Sequence, residues 1–133
     1  MHQKIKGSIV IPAGIEVWEH ELRTAQVLAR YGHNVCFVAK DKNRGVKSAD
    51  ILVDDVLYEM KSPKADKLSA IERNLKKASK QSENIVIDSR RMKKIHDTAI
   101  QKCLAGKLKQ QKTIKKILFV NRKHELVDIS SLI

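Results

Sequence analysis

The sequence predicts an α/β fold in which helices flank a mixed β-sheet, and three observations predict it. Apolar runs of strand length alternate with segments whose apolar residues recur at helical spacing. Two β-rich runs, DILV and VLYEMK, are separated by two aspartates, which is typical of a tight hairpin. Further apolar runs follow the later helical segments, as in units that build parallel strands. The length of 133 residues fits one domain, 1–133.

The first part of the chain predicts a strand, a helix and a second strand. SIVIP, residues 8–12, is a short extended segment. Apolar residues at helical spacing predict a helix over 17–31. Its apolar stripe consists of Trp18, Leu22, Ala25 and Ala29, and Leu28 widens the stripe on one side. Gly32 stands where a helix C-cap is expected. VCFVA, residues 35–39, is a continuous apolar strand.

The rest of the chain continues the alternation after the hairpin. The predicted elements are a helix from an Asp66 cap to about Ser82, a strand over 84–88, a helix from about Arg90 to Ala105 that ends at Gly106, and strands in KKILFVN and ELVDI. The stripe of the first of these helices consists of Leu68, Ile71, Leu75 and Ala78. The predicted order after the first short segment is therefore α-β-β-β-α-β-α-β-β.

The charge of the chain favours a polyanionic partner. Lys and Arg number 27 against 15 Asp and Glu, a formal net charge of +12. No apolar stretch approaches the roughly 20 residues of a membrane span, and no basic helix carries the bulky apolar face of a membrane binder. The first residues lack the apolar run of a signal peptide, and the two cysteines have neither metal nor disulfide spacing. We therefore expect a cytoplasmic, nucleic-acid-binding protein that makes no membrane contact.

The hairpin carries the candidate chemistry. If the turn consists of two residues, Asp50 lies directly opposite Glu59, and Lys61 shares their face of the sheet. Two opposed carboxylates repel each other, and a divalent cation such as Mg²⁺ removes that repulsion. Asp50 and Glu59 are therefore the predicted metal ligands. Lys61 is then placed to orient or deprotonate a water, or to neutralise a phosphate.

Residues outside the hairpin extend the candidate site. Glu21 lies at the edge of the apolar face of the first helix, whereas His20 lies on its far side and is the more exposed of the two. Gln81 flanks the apolar stripe of the second helix near its end. Arg90 follows a strand, where site residues often cluster in α/β folds. The predicted substrate-binding residues are His20, Arg90, Arg73, Lys77 and Lys80.

This pattern resembles the PD-(D/E)XK nuclease superfamily, whose core is restriction-endonuclease-like with the order α-β-β-β-α-β. The matching positions are Glu21, Asp50, Glu59-Met60-Lys61 and Gln81, and Ala49 departs from the proline of the motif. The segments EHELRTAQVLARYGHNV, SADILVDDVLYEMKSP and KASKQSENIVIDSRR look like the C-terminal tRNA-nuclease toxin domain of contact-dependent growth-inhibition proteins and related phage or mobile-element domains. The resemblance implies cleavage of RNA, tRNA in particular, with an immunity protein as a further partner.

Several alternatives stay open at the level of sequence. The same residues suit a DNA endonuclease of a phage or mobile element, because RNA and DNA present phosphates to the same basic surface. A non-catalytic nucleic-acid-binding module is a second alternative, which the intact Asp50, Glu59 and Lys61 speak against. Some similar toxin domains have a metal-free, barnase-like ribonuclease fold, in which His20 and Lys61 would serve as acid and base. The oligomeric state is left open.

Overall fold

A computed structural model of the chain describes residues 6–39 and 51–132. Within these ranges the chain forms three helices: α1 (Glu19–Arg30), α2 (Leu68–Ser79) and α3 (Asp97–Gln110). The strands are β1 (Ile9–Val10), β2 (Val35–Phe37), β3 (Ile51–Val53), β4 (Val56–Lys61), β5 (Asn84–Asp88), β6 (Lys116–Val120) and β7 (Leu126–Asp128). A short 3₁₀ helix, Ile129–Leu132, follows β7. The predicted α/β class and the predicted order of elements are confirmed.

The described strands form one mixed sheet of seven strands whose order in space is their order in sequence, β1 to β7. β1 is parallel to β2, and β2, β3 and β4 are joined in antiparallel pairs. β4, β5 and β6 are parallel neighbours, and β7 returns antiparallel to β6. Each described parallel pair is connected through a helix, as parallel pairing requires a crossover. The carboxyl ends of β4, β5 and β6 therefore meet at one edge.

Two apolar cores cover the two faces of the sheet. Along β4 and β5, Met60 and Val86 are register partners that pack in the core containing Ala25 and Leu28 of α1. Ile85 and Ile87 alternate with Val86 and pack in the second core, which contains residues of α2 and α3. α1 therefore lies on one face, and α2 and α3 lie on the other.

The hairpin between β3 and β4 has the predicted register. From the turn outward, Val53 pairs with Val56, Leu52 with Leu57 and Ile51 with Tyr58. Asp54 and Asp55, at the turn, both have positive φ, 50° and 69°. That combination is typical of a type I′ turn, whose twist matches the twist of the flanking strands.

The buried face of α1 is rotated from the predicted stripe. Its buried residues are Thr24, Ala25, Val27 and Leu28, whereas Trp18 precedes the helix and is 72% exposed. At 100° per residue, Glu21 lies close to the centre of this face and His20 lies at its edge. The expectation that His20 is on the far side of the helix is therefore wrong. Both side chains are half-buried.

The helix predicted over about 90–105 is also wrong in its limits, because α3 begins at Asp97 and continues through Gly106 to Gln110. Three backbone N–H groups before α3 bond to side chains instead of helical carbonyls. The Arg90 N–H donates to Asp88, and the N–H groups of Lys94 and Ile95 donate to Asp66 at 2.6 and 3.0 Å. Asp66 therefore holds this loop, and Lys67 takes the predicted capping position of α2.

Candidate active site

Glu59 and Lys61 lie on one face of β4, as predicted. Lys61 Nζ is 3.4 Å from Glu59 Oε2, and Glu59 is 3% exposed. Their register partners on β5 are Ile85 and Ile87, so both side chains project to the face that α2 covers. A buried carboxylate beside a lysine can bind a cation or accept a proton, and the lysine can stabilise negative charge on a phosphate.

The other half of the predicted hairpin site is Asp50. Asp50 lies outside the described residues, so its predicted pairing with Glu59 and its role as a metal ligand stay predictions. The pairs on the described part of the hairpin end at Ile51 and Tyr58, one step before this pair. Across the described part of the chain, no group of three or more His, Cys, Asp or Glu residues is arranged to hold a metal ion.

Glu21 meets Lys61 in a small pocket at the carboxyl end of β4. The pocket is lined by His20, Glu21, Thr24, Met60, Lys61 and Ser62. Glu21 also fixes the start of α1, because its Oε1 accepts the Trp18 N–H at 2.9 Å. α1 and the Glu59 carboxylate lie on opposite faces of β4, so Glu21 reaches Lys61 at the strand end and not across the strand.

Gln81 lies away from this pocket. It follows α2, and its N–H donates to the Ala78 carbonyl. The next residue, Ser82, donates its hydroxyl to the Leu57 carbonyl near the start of β4, about 13 Å along the strand from Lys61 at 3.3 Å per residue. α2 runs back along the sheet from the carboxyl end of β4. Its last residues therefore lie near the amino end of β4, whereas Lys61 lies at the carboxyl end. The structure therefore does not bring Gln81 to the predicted site.

A larger cleft of about 670 Å³ lies beside the small pocket and shares His20 and Ser62 with it. The other described residues lining it are Arg23, Gln26, Val27, Arg30, Asp88, Arg90, Arg91, Arg122 and His124. We call it the arginine cleft. It lies where β4, β5 and β6 end and where α1 crosses them. Among the described residues that line it, five are arginines and one, Asp88, is an acid.

A chain of polar contacts organises the floor of the arginine cleft. Asp88 is buried and accepts the Thr24 hydroxyl at 2.6 Å. Arg90 Nε and Nη2 donate to the same carboxylate at 3.0 and 2.8 Å, and Arg90 Nη1 lies 3.0 Å from His124 Nδ1. Both Asp88 oxygens are thus occupied by protein donors. Asp88 is therefore suited to hold Arg90 in place.

The sequence identified only part of this cleft. Arg90 was predicted as a substrate-binding residue and lines it, as does His20. The residues that were missed come from α1 and from the turn after β6, and they are Arg23, Arg30, Arg122 and His124. Arg122 and His124 could have been found from the end of β6, since the turn after it meets the end of β5 in a parallel sheet. Arg73, Lys77 and Lys80 are exposed at α2, on the other face, and do not line the cleft.

Residues 47–126, more than half of the chain, match the family described as Contact-dependent growth inhibition CdiA C-terminal domain. The chain belongs to this family. Among curated protein sequences none matches it. Among solved structures, it is similar to a chain of a CdiA-CT/CdiI toxin and immunity complex from Burkholderia pseudomallei, with a TM-score of 0.64. The identity is 18%, and the match covers 92% of this chain and 98% of that one, so it shows a shared fold.

The family match identifies a CdiA C-terminal domain by sequence, and the similar structure shares its architecture. The wider assignment to the PD-(D/E)XK superfamily stays a prediction. Within residues 6–39 and 51–132, no helix has both the length and the apolar character needed to cross a membrane.

Proposed function

We propose that this CdiA C-terminal domain is a toxic nuclease that hydrolyses phosphodiester bonds of RNA, with tRNA as the substrate class. The observation that carries the proposal is the continuity of two pockets. The arginine cleft adjoins the pocket that contains Lys61, and His20 and Ser62 line both. A strand of RNA bound through its phosphates in the cleft would reach the Glu59–Lys61 pair at the end of β4.

Two of the five arginines of the cleft contact backbone carbonyls and are the best suited to phosphate, whereas the other three pair with the carboxylates of Glu19, Asp88 and Asp97. Arg30 and Arg91 donate to backbone carbonyls, of His124 and Ser62, at 3.1 Å each. A carbonyl fixes a guanidinium without neutralising it, and the remaining N–H groups stay available for a bidentate contact. The single acid on the cleft wall among the described residues, Asp88, is occupied by Thr24 and Arg90. The cleft is therefore an anion receptor.

For the chemical step we propose a divalent cation, Mg²⁺ by preference, held by Glu59 and Asp50. The buried carboxylate of Glu59 is the hard oxygen ligand that Mg²⁺ prefers, and Asp50 would supply the second carboxylate if the hairpin register continues by one pair. When bound, the cation supplies Lewis-acid stabilisation of the phosphate. Lys61 neutralises the developing charge on the phosphate and orients the attacking water, and Glu21 holds the pocket at the start of α1.

A metal-free mechanism is the second candidate, and one observation favours it. His20 and Lys61 line the same small pocket. In that scheme the two side chains act as general acid and base, as in ribonucleases that work without metal. The two mechanisms differ in one measurable property, since only the first is abolished by a chelator.

The experiment that tests the function is incubation of the purified protein with tRNA and with plasmid DNA, each with Mg²⁺ and with excess EDTA. Cleavage of tRNA with Mg²⁺ and its loss in EDTA are expected. Cleavage of tRNA in EDTA would favour the His20–Lys61 mechanism. Cleavage of plasmid DNA alone would identify a DNA endonuclease, and binding without cleavage of either would identify a non-catalytic module.

We also propose an immunity protein as a partner, because the similar Burkholderia pseudomallei chain belongs to a toxin and immunity complex. A neutralising partner of this domain is expected to be acidic where it meets the arginine cleft. Co-purification with the product of a neighbouring gene tests the proposal, with loss of capture expected for the Arg30→Glu variant.

A further inference from the structure

His124 occupies an unusual backbone conformation beside the arginine cleft. Its φ is +63°, in the left-handed region that most side chains avoid and that histidine adopts more readily than β-branched residues. The turn is nevertheless well fixed. The His124 N–H donates to the Asn121 carbonyl, and the Asn121 side-chain oxygen accepts the N–H groups of Lys123 and Glu125 at 3.0 Å each. The fold therefore maintains a histidine where glycine would be less strained.

The contact with Arg90 determines which nitrogen of His124 carries a proton. A guanidinium only donates hydrogen bonds, so Nδ1 of His124, 3.0 Å from Arg90 Nη1, is the acceptor. In the neutral ring the proton then resides on Nε2. The His124 side chain is exposed, and it lines the cleft. Its Nε2–H is a directed donor at the cleft surface.

Arg90 is held from behind by buried groups. Asp88 and Thr24 are 3% and 2% exposed, and the Thr24 hydroxyl bonds to Asp88. The carboxylate fixes Nε and Nη2 of Arg90, which leaves the N–H groups pointing away from Asp88 for a ligand. Arg30 fixes the His124 backbone by donating to its carbonyl at 3.1 Å. Elements α1, β5 and the turn after β6 thus position two donors side by side.

We propose that Arg90 and His124 together form a phosphate-binding subsite for a second phosphate of the substrate strand, separate from the phosphate that is cleaved at Lys61. The ligand is a phosphodiester group, whose oxygens accept from the Arg90 guanidinium and from Nε2–H of His124. Thr24 and Asp88 are positioning residues for Arg90. The inference rests on the proposed function for its ligand class.

Binding of a fluorescein-labelled tRNA transcript by fluorescence anisotropy tests the subsite. The measurement is made in EDTA with Glu59→Gln as the parent, which removes metal-dependent cleavage. His124→Gly removes the side chain and relieves the positive φ, so the fold is expected to be at least as stable as the parent. Arg90→Lys keeps a positive charge beside buried Asp88 and loses the planar fork. Lys102→Gln, at an exposed position of α3, is the control that removes a charge away from the cleft.

We expect His124→Gly and Arg90→Lys each to weaken tRNA binding about tenfold, because each removes a directed contact with a phosphate. We expect Lys102→Gln to weaken binding by less than about twofold, because it removes only a diffuse surface charge. The double variant is expected to lose less than the product of the single effects, because each residue positions the other. Equal affinities of His124→Gly, Arg90→Lys and Lys102→Gln would overturn the subsite while leaving RNA binding intact. A parent that does not bind tRNA would overturn the proposed function as well.

Discussion

Glu59 is an acid that the fold buries beside a lysine at the end of a parallel strand. We predict that Glu59→Gln lowers nuclease activity on tRNA by a factor on the order of 100 or more, because it removes a ligand charge at nearly constant volume. The matched control is Glu72→Gln, which changes a half-exposed glutamate whose carboxylate lies 2.8 Å from Lys107 Nζ on the surface. Its activity is expected to stay within about twofold of the parent, and circular dichroism is expected to show both variants folded.

Equal activity of the parent and of Glu59→Gln would contradict this prediction. Together with cleavage in EDTA, that result would favour the metal-free mechanism, in which His20 and Lys61 of the same pocket act as general acid and base.

Asp54 links the hairpin turn to the end of α1. The Asn34 N–H and the His33 side chain both bond to its carboxylate, at 2.8 and 2.7 Å, and these contacts lower the pKa of Asp54 from 3.8. A folded-state pKa below the unfolded one means that ionised Asp54 stabilises the fold above pH 3.8 and that this contribution is lost as pH falls through the folded value. The effect is modest because the side chain is 48% exposed.

We predict that Asp54→Asn is less stable than the parent at pH 6 and that the difference shrinks below pH 3.8. Asparagine tolerates positive φ about as well as aspartate, so the substitution tests charge and not turn geometry. Urea denaturation at several pH values measures it. A difference in unfolding free energy that stays constant from pH 6 to pH 3 would contradict the assignment.

The hairpin turn holds two residues other than glycine at positive φ. Asp55 has a φ of 69°, which glycine adopts without steric cost. We predict that Asp55→Gly raises the unfolding free energy by about 0.5 to 1 kcal/mol, and that Asp55→Val lowers it. Thermal unfolding measures both. A lower melting temperature for Asp55→Gly would mean that the turn is not of the type I′ form.

Elements with strong local signals were predicted closely, and the reasons are physical. The β5 strand was predicted at its observed limits, because the buried apolar run IVI between parallel neighbours is bounded by the polar Asn84 and Asp88. The hairpin register followed from two adjacent turn residues. The segment before α3 could not be predicted, because its N–H groups bond to two acids that give no helical signal. Asp66 is distant in sequence, and Asp88 precedes the turn that begins the segment.

The part of the candidate site formed by residues close in sequence was predictable. The part formed by residues that the fold brings together from distant segments was not. The Glu59–Lys61 contact follows from strand alternation within three residues. The separation of Gln81 from Lys61 depends on the direction of α2 across the sheet, which the helical stripe alone does not give. His124 meets Arg90 only because β5 and β6 are parallel neighbours, which no local pattern encodes.

At the scale of the whole molecule, the net charge of +12 predicts the response of RNA binding to salt. If phosphate neutralisation drives binding, the logarithm of the affinity falls linearly with the logarithm of salt concentration, because each contacted phosphate releases counterions. We predict a steep decrease for tRNA between low and moderate salt. A flat dependence would mean that the excess lysine serves solubility and that the nucleic-acid proposal depends on the site alone.

The exposed lysines of α2 test how far the bound strand extends. Lys77 and Lys80 are exposed at α2, on the face opposite α1 and the arginine cleft. We predict that Lys77→Glu with Lys80→Glu weakens binding to RNAs of different sequence about equally, since phosphate contacts position a ligand and do not read its bases. Anisotropy with two unrelated transcripts measures it. A loss confined to one transcript would contradict a purely electrostatic role.

The order of the strands also governs how the chain can reach this structure. Among the described strands each pairs with the one before it in sequence, so none has to enter between two that are already paired. The hairpin closes through two residues, and each parallel pair closes through one helix, so the entropy of loop closure grows in small steps. The sheet can be built strand by strand as the chain emerges from the ribosome, with each new segment finding its partner already in place.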